Sequence, residues 1–391
     1  MSVPIHFRQV DLASGGQMFT CRHVLVANGT ITTVSPTPIE SPPGALIVDG
    51  PGVLAPGFVD THVHGRLGFD VMRPGDIASL SLELLAQGVT GFLPTVVAAP
   101  PDDVLTALAS VQGDPRGARV LGVHAEGPFL SPEQPGMFPP DAFRDYDRAL
   151  WRDMQAAAAA PIRLMTIAAE RLTPAQIEEL RTDGVALSLG HTNATYAQAS
   201  AAFDAGVTRV THAYNAMTGF HHRAPGAVGA LLDHGDVDAE LILDGLHVAA
   251  APARILAATR TSGSIVLVSD SVPPAARPPG DYRWAGRRLR VDGNSIRLPT
   301  GRLAGSALTL DSAVRRAVDW LGTSPAVALH MASEAPRASI GLDSAGAQSG
   351  TAADLVLLDP SLHPRMTLVG GVVRWRRNSK QRCADAVSAA D

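Results

Sequence analysis

Eight apolar runs of strand length, alternating with stretches suited to helix, constrain this 391-residue chain more than any other feature. They cover residues 57–61, 91–97, 120–125, 162–167, 185–189, 209–212, 240–243 and 265–269, with segments such as 77–87 and 174–181 between them. A strand with one wet face alternates apolar and polar residues. A near-continuous apolar run needs cover on both faces, as in a parallel sheet layered with helices. Eight such units over about 215 positions match the scale of a TIM-type (β/α)8 barrel. An open doubly wound sheet is the competing arrangement, but no Gly-rich dinucleotide loop follows the first run.

Both ends of the chain read as short strands and turns. Residues 19–26 lead to a turn at Asn28-Gly29, then to 31–34 and 45–48; near the other end, 353–359 and 366–369 lead to Gly370-Gly371 and 372–375. Short apolar runs bounded by Gly, Asp and Pro are hairpin material. The expected organisation is a small discontinuous β-sandwich domain contributed by residues 1–54 and 346–391, around a barrel over residues 55–345. The alanine run 156–160 reads as helix, and the proline-rich stretch 273–279 as a loop.

Composition narrows the function. A hydrophobic fraction of 46% and a charged fraction of 18% suit a chain with a large core. A net charge of -5 gives no whole-chain attraction to nucleic acid or to an anionic membrane. Only Cys21 and Cys383 occur, so neither a disulfide framework nor a cysteine metal site is expected. No apolar run reaches the roughly 18 residues of a membrane span. Met1 to Val10 carries polar residues too early for a signal-peptide core. The expectation is a cytoplasmic protein with a small-molecule substrate, no nucleic acid and no membrane.

Polar residues stand where barrel strands should end. His62 and His64 follow Pro56-Gly57-Phe58-Val59-Asp60-Thr61, and residues two apart on a strand share a face, so both rings can turn toward one ion. Glu126 follows the third run, His191 the fifth, His212 the sixth and Asp270 the eighth. A single histidine at a strand end is ordinarily a hydrogen-bonded structural residue. Six such side chains at the rim where barrel active sites are built point instead to a shared metal centre.

Four segments carry a more specific signal: Glu126-Gly127-Pro128-Phe129, Gly190-His191-Thr192-Asn193-Ala194-Thr195, Thr211-His212-Ala213-Tyr214-Asn215-Ala216-Met217 and Asp244-Gly245-Leu246-His247. With Arg223, Pro225-Gly226 and Leu303-Ala304-Gly305-Ser306, they resemble the N-acetylglucosamine-6-phosphate deacetylase family of the amidohydrolase superfamily, in order from about residue 50 to 360. The resemblance implies a barrel with a small β domain and metal-dependent removal of the acetyl group from N-acetylglucosamine-6-phosphate, giving glucosamine-6-phosphate and acetate in amino-sugar catabolism. It implies that Glu126, His191 and His212 hold the principal divalent metal and that His62 and His64 complete a second site. Zinc is expected, with iron, manganese or cobalt open. Asp270 is implied as general base and acid, and His247 as the group that polarises the carbonyl or orients the sugar. Asn215 and Ala216 are implied at the phosphate, with Arg223 supplied by the neighbouring subunit of a homodimer. Met137, Phe138, Leu303, Ala304 and Gly305 are implied around the sugar.

Many relatives bridge two metals with a lysine; here the one lysine is Lys380, near the tail, which weighs against a cyclic-amide hydrolase. Two places depart from the family pattern. Phe138 stands where a polar histidine is usual, and Ser271-Val272-Pro273-Pro274 follows Asp270 in place of small residues. Both bear on the sugar pocket, leaving N-acetylgalactosamine-6-phosphate or another N-acyl amino sugar open as substrate.

Overall fold

The eight runs form a parallel barrel in which each strand pairs with the next. In this computed structural model, which describes residues 3–261, 263–343 and 346–378, the strands are β1 (Phe58–Val63), β2 (Val89–Val97), β3 (Val123–Glu126), β4 (Ile162–Ile167), β5 (Ala186–Leu189), β6 (Arg209–Val210), β7 (Asp238–Leu241) and β8 (Ile265–Leu267). A parallel bridge between Val63 and Ser271 closes the seam, supported by the Asp270 N–H donating to the His62 carbonyl at 2.9 Å.

The boundaries differ from expectation in a consistent way. The expected sixth and eighth strands end early, at Val210 and Leu267, while β7 begins at Asp238 and ends at Leu241. Ile242, Leu243 and Val268 are buried rim residues outside the ladder, so apolarity alone overextends the runs. The expected third strand splits: Arg119–Val120 pairs with β2 alone, and β3 starts after Gly122. The helix expected over 77–87 is an α-helix at Asp76–Glu83 continued by a 3-10 turn at Leu84–Gln87. Helices Pro174–Thr182 and Tyr196–Asp204 start at capping boxes, Thr173 with Gln176 and Thr195 with Gln198, which satisfy otherwise unpaired N–H groups.

The termini build a second, eight-stranded sheet. Its path runs Val372–Arg376, Pro364–Val369, Leu355–Leu358, Val53–Pro56, Ile5–Ser14, Gln17–Ala27, Thr30–Ser35, with Leu46–Asp49 also beside Ile5–Ser14. The far edge returns to the other end: Ile31 N–H donates to Thr351 O and Ala353 N–H to Gly29 O, both at 2.9 Å. The sheet thus folds over a core of its own, with Phe7, Val24, Ile31, Leu54, Leu355 and Leu368. The N-terminal strand Ile5–Ser14 was not expected. Lys380 and Cys383 lie outside the described residues.

A third sheet was also unforeseen. Gly280–Trp284, Arg287–Asp292 and Ser295–Arg297 form a three-stranded antiparallel insert after β8. Its inward residues Trp284, Leu289, Val291 and Ile296 share an apolar cluster with Met137, Phe138, Val272 and Ala304.

Candidate active site

Glu126, His191, His212, His62, His64 and Asp270 converge at the C-terminal rim, all at most 8% exposed. Glu126 Oε1 lies 3.1 Å from His191 Nε2 and 3.2 Å from His212 Nε2, and those two nitrogens are 3.2 Å apart. On the other side, His62 Nε2 and His64 Nε2 are 3.2 Å apart, and Glu126 reaches them at 3.5 and 3.4 Å. Asp270 Oδ1 lies 3.2 Å from His64 Nε2 and 3.5 Å from His62 Nε2. Two three-residue groups that could hold a metal therefore share Glu126.

Ring tautomers decide whether a cation fits. His191 Nδ1 donates to Gln134 O at 2.9 Å, His64 Nδ1 to Thr95 O at 3.2 Å and His62 Nδ1 to Glu240 Oε2 at 2.9 Å. These oxygens only accept, so the proton sits on Nδ1 and a neutral ring aims its Nε2 lone pair inward. Lone pairs facing one another and a carboxylate repel unless a cation lies among them. Two atoms each about 2.1 Å from one tetrahedral ion are roughly 3.4 Å apart, close to the separations here. Glu126 Oε2, buried, has no hydrogen-bond partner. The residues fit a divalent ion.

With no ion among them, the carboxylates draw positive charge onto a ring instead. Burial works against charging the His62 ring, yet Glu240, Glu126 and Asp270 together outweigh it and raise it well above the usual histidine value. Burial likewise opposes ionising Glu126, but the charge of His62 and the close approach of the His191 and His212 rings hold it well below the carboxylate range. For Asp270, too, burial is overcome, by His62 and His64. The centre is built to keep carboxylates ionised around positive charge.

Beneath it runs a polar layer that the sequence did not reveal. Glu240, fully buried on β7, accepts from His62 Nδ1 and from the His212 N–H (3.1 Å) through Oε2, and from Arg209 Nε and Nη2 (3.0 and 2.7 Å) through Oε1. Arg209, also fully buried, donates further to Thr61 and Ser339. Thr95, His124, Thr166, Thr211 and Ser188 link in a chain of hydrogen bonds across β2 to β5 and the residue that follows β6. Barrel interiors are usually filled with branched apolar side chains, so this polar filling marks the layer as support for the site.

Backbone geometry is constrained too. His191, His212 and Asp270 have φ of 43°, 30° and 47°, a left-handed region that costs a non-glycine residue of order 1–3 kcal/mol. Backbone hydrogen bonds hold each: the His191 carbonyl accepts from Ser131 N–H, His212 N–H donates to Glu240, and Asp270 N–H donates to His62 O. Gly136 has φ 57°, and a Cβ there would stand 2.8 Å from His191 Cε1, so the loop that fixes the His191 tautomer has no room for a side chain.

The centre opens into a cavity of about 350 Å³. Met137, Phe138, Asn215, Ala216, His247, Leu303 and Gly305 line it, as do Gln134, Trp284 and Arg302, which the sequence did not single out. His247 Nδ1 lies 2.7 Å from Asp244 Oδ2, which orients the ring. Trp284 comes from the insert and donates to Asp70 at 3.4 Å. Two expected residues are elsewhere. Ala304 is turned into the apolar cluster beneath the insert. Arg223 is exposed, outside this cavity's lining, and donates to its neighbour His222 at 2.9 Å.

Known proteins resemble this chain along nearly its whole length. The amidohydrolase family pattern matches residues 53–374. An N-acetylgalactosamine-6-phosphate deacetylase from Escherichia coli O157:H7 is 37% identical, covering 88% of this chain and 93% of its own. An N-acetylglucosamine-6-phosphate deacetylase from Bacillus subtilis is 30% identical, covering 96% and 98%. Among solved structures, a variant of N-acetyl-D-glucosamine-6-phosphate deacetylase from Mycobacterium smegmatis, in complex with N-acetyl-D-glucosamine-6-phosphate, superposes with a TM-score of 0.86 at 29% identity over 95% of this chain and 99% of its own. The Thermotoga maritima enzyme gives 0.85 at 30% identity, over 96% and 100%. With fold, rim residues and these likenesses in agreement, the chain belongs to the amidohydrolase family and, within it, to the N-acetylglucosamine-6-phosphate deacetylase family.

Proposed function

We propose that this protein hydrolyses the acetamide of N-acetylglucosamine-6-phosphate to glucosamine-6-phosphate and acetate. The observation that carries the reading is the twin group of inward-facing ligands around Glu126, with Asp270 against it, at the floor of one cavity. Glu126, His191 and His212 hold the principal ion in this reading, and His62 and His64 a second; zinc suits the imidazole and carboxylate set. The ion supplies Lewis acidity, acidifying water and polarising the amide carbonyl.

Asp270 accepts the proton of the attacking water. As the C–N bond breaks, it returns a proton to the amine nitrogen, while the water oxygen ends in acetate. His247, its Nδ1 held by Asp244, presents Nε2 to the substrate. Asn215 and Ala216 face the phosphate end. The exposed loop bearing Phe220, 61% exposed, and Arg223 suits a homodimer in which Arg223 enters the neighbouring cavity. A cytoplasmic location suits a phosphorylated sugar.

Phe138 in the cavity wall, together with the 37% identity to the E. coli protein, favours a second reading in which the galactosamine epimer is the substrate. Amine release by the zinc-loaded protein from both 6-phosphates and from both unphosphorylated sugars tests the function. A strong preference for one phosphate ester is expected. Equal rates with and without phosphate would remove the phosphate end of the assignment, and no release from any of the four would remove the reaction.

A further inference from the structure

A phosphate dianion needs a cation, and Arg302 is the one arginine in the cavity's lining among the described residues, which include no lysine. It precedes Leu303-Ala304-Gly305 at the end of the three-stranded insert, and its Nη1 donates to the Gly136 carbonyl at 2.7 Å. That single bond leaves most of the five guanidinium N–H groups without a protein acceptor among the described residues.

Gly136 also locates Arg302 relative to the phosphate end. An ideal Cβ on Gly136 would lie 3.9 Å from Ala216 Cβ, so one glycine separates the guanidinium from the Asn215–Ala216 turn. The acid that also lines this mouth, Glu133, has its Oε2 held by the Ser131 hydroxyl at 2.7 Å. Arg223 of the same chain stands outside the cavity.

We infer that Arg302 is the cation this chain itself turns toward the substrate's phosphate, making it a specificity-determining residue of the cavity. The inference rests on the phosphorylated-sugar reading above. A planar guanidinium gives a phosphate two parallel hydrogen bonds while another N–H stays on the Gly136 carbonyl. Arg302 therefore clamps the loop carrying Gln134 and Gly136 and reads the anion at once.

The test separates those two roles. Arg302→Gln keeps a donor for the Gly136 carbonyl and drops the charge; Arg302→Lys keeps charge without the fork. For each variant and the parent, kcat and KM are measured on the hexosamine 6-phosphates and on their unphosphorylated forms, with inorganic phosphate as competitor. In Arg302→Gln the ratio of kcat/KM, phosphorylated over unphosphorylated, is expected to fall about tenfold or more, through KM, with a matching rise in the phosphate inhibition constant. Arg302→Lys is expected to fall between. A parent preference that survives intact in Arg302→Gln, or losses equal on both substrate types, overturns the inference and leaves Arg302 as a clamp. A preference abolished by Arg223→Ala but untouched by Arg302→Gln overturns it in favour of the neighbouring subunit. A parent with no phosphate preference removes the phosphorylated-sugar reading, and Arg302 with it.

Discussion

Glu240 is the residue on which both halves of the metal centre lean. It fixes the His62 tautomer through one oxygen and the left-handed His212 backbone through the same one, while Arg209 neutralises the other. Glu240→Gln preserves shape but weakens the acceptor, and carboxylates behind ligating histidines typically contribute 10–100-fold in metal affinity. The expected outcome is a fold retained by circular dichroism with a loss of bound zinc, read by metal analysis after dialysis. Full metal retention would reduce Glu240 to packing. Asp270→Asn is expected to do the converse: metal content near normal, with turnover lower by about 10²–10⁴-fold, the usual contribution of a positioned acid–base group. Unchanged turnover would take Asp270 out of the chemistry. The convergence of Asp270 with the five proposed ligand positions was legible in the sequence because each is a polar residue ending an apolar run. Arg209 and Glu240 were not. A charged residue in a strand reads as solvent-facing until the barrel shows that Thr61, Arg209 and Glu240, far apart in sequence, face one another inside it.

Among the elements, the insert after β8 has the greatest consequence for the pocket. It brings Trp284 to the cavity wall, with Phe138 at 6.1 Å and His64 at 5.3 Å between ring centroids. A second cavity of about 210 Å³ lies against the same indole, lined by Arg73, Arg277 and Arg283. Trp284→Ala removes that partition. Truncating a buried tryptophan costs of order 3–5 kcal/mol, and the expectation is a lower urea midpoint together with a raised KM. A normal KM in a destabilised variant would make Trp284 a core residue only. The alternation that buries Leu289 and Val291, with a two-residue turn at Gly293-Asn294, was a readable hairpin signal. Arg287, Arg288 and Arg290 around those positions masked it. Helix starts were plainer: Thr195→Ala deletes a capping box and is expected to lower stability by about 1 kcal/mol with activity intact, measured by urea unfolding at unchanged slope.

For the whole molecule, the candidate metal centre is also a fastening. The proposed ligands come from β1 and the residue after it, from β3 and from the segments after β5 and β6, so an ion bound there would tie distant parts of the barrel together. Binding to the folded state alone at a thousandfold excess over Kd adds about 4 kcal/mol. Chelation is therefore expected to lower the melting temperature, and zinc to restore it; a melting curve indifferent to chelator would argue against a resident ion. At this scale the barrel was the most legible feature, since strand count and order follow from eight apolar runs. The terminal sheet was legible only as short strands at both ends. Its first strand, Ile5–Ser14, carries His6, Arg8, Gln9 and Asp11 among its apolar residues and so reads as polar surface.

That sheet pairs Leu54 with Leu357, which has a consequence in time. A ribosome adds about 5–20 residues per second, so Val53–Pro56 emerges roughly 15–60 seconds before Leu355–Leu358 is made. Through that interval an apolar strand with an open edge waits beside a barrel folding in its shadow. The nascent chain thus passes through a window in which another copy can take the place of its own last strands. Slower initiation, which spaces nascent copies apart, should raise the soluble yield more than slower elongation, which lengthens the wait.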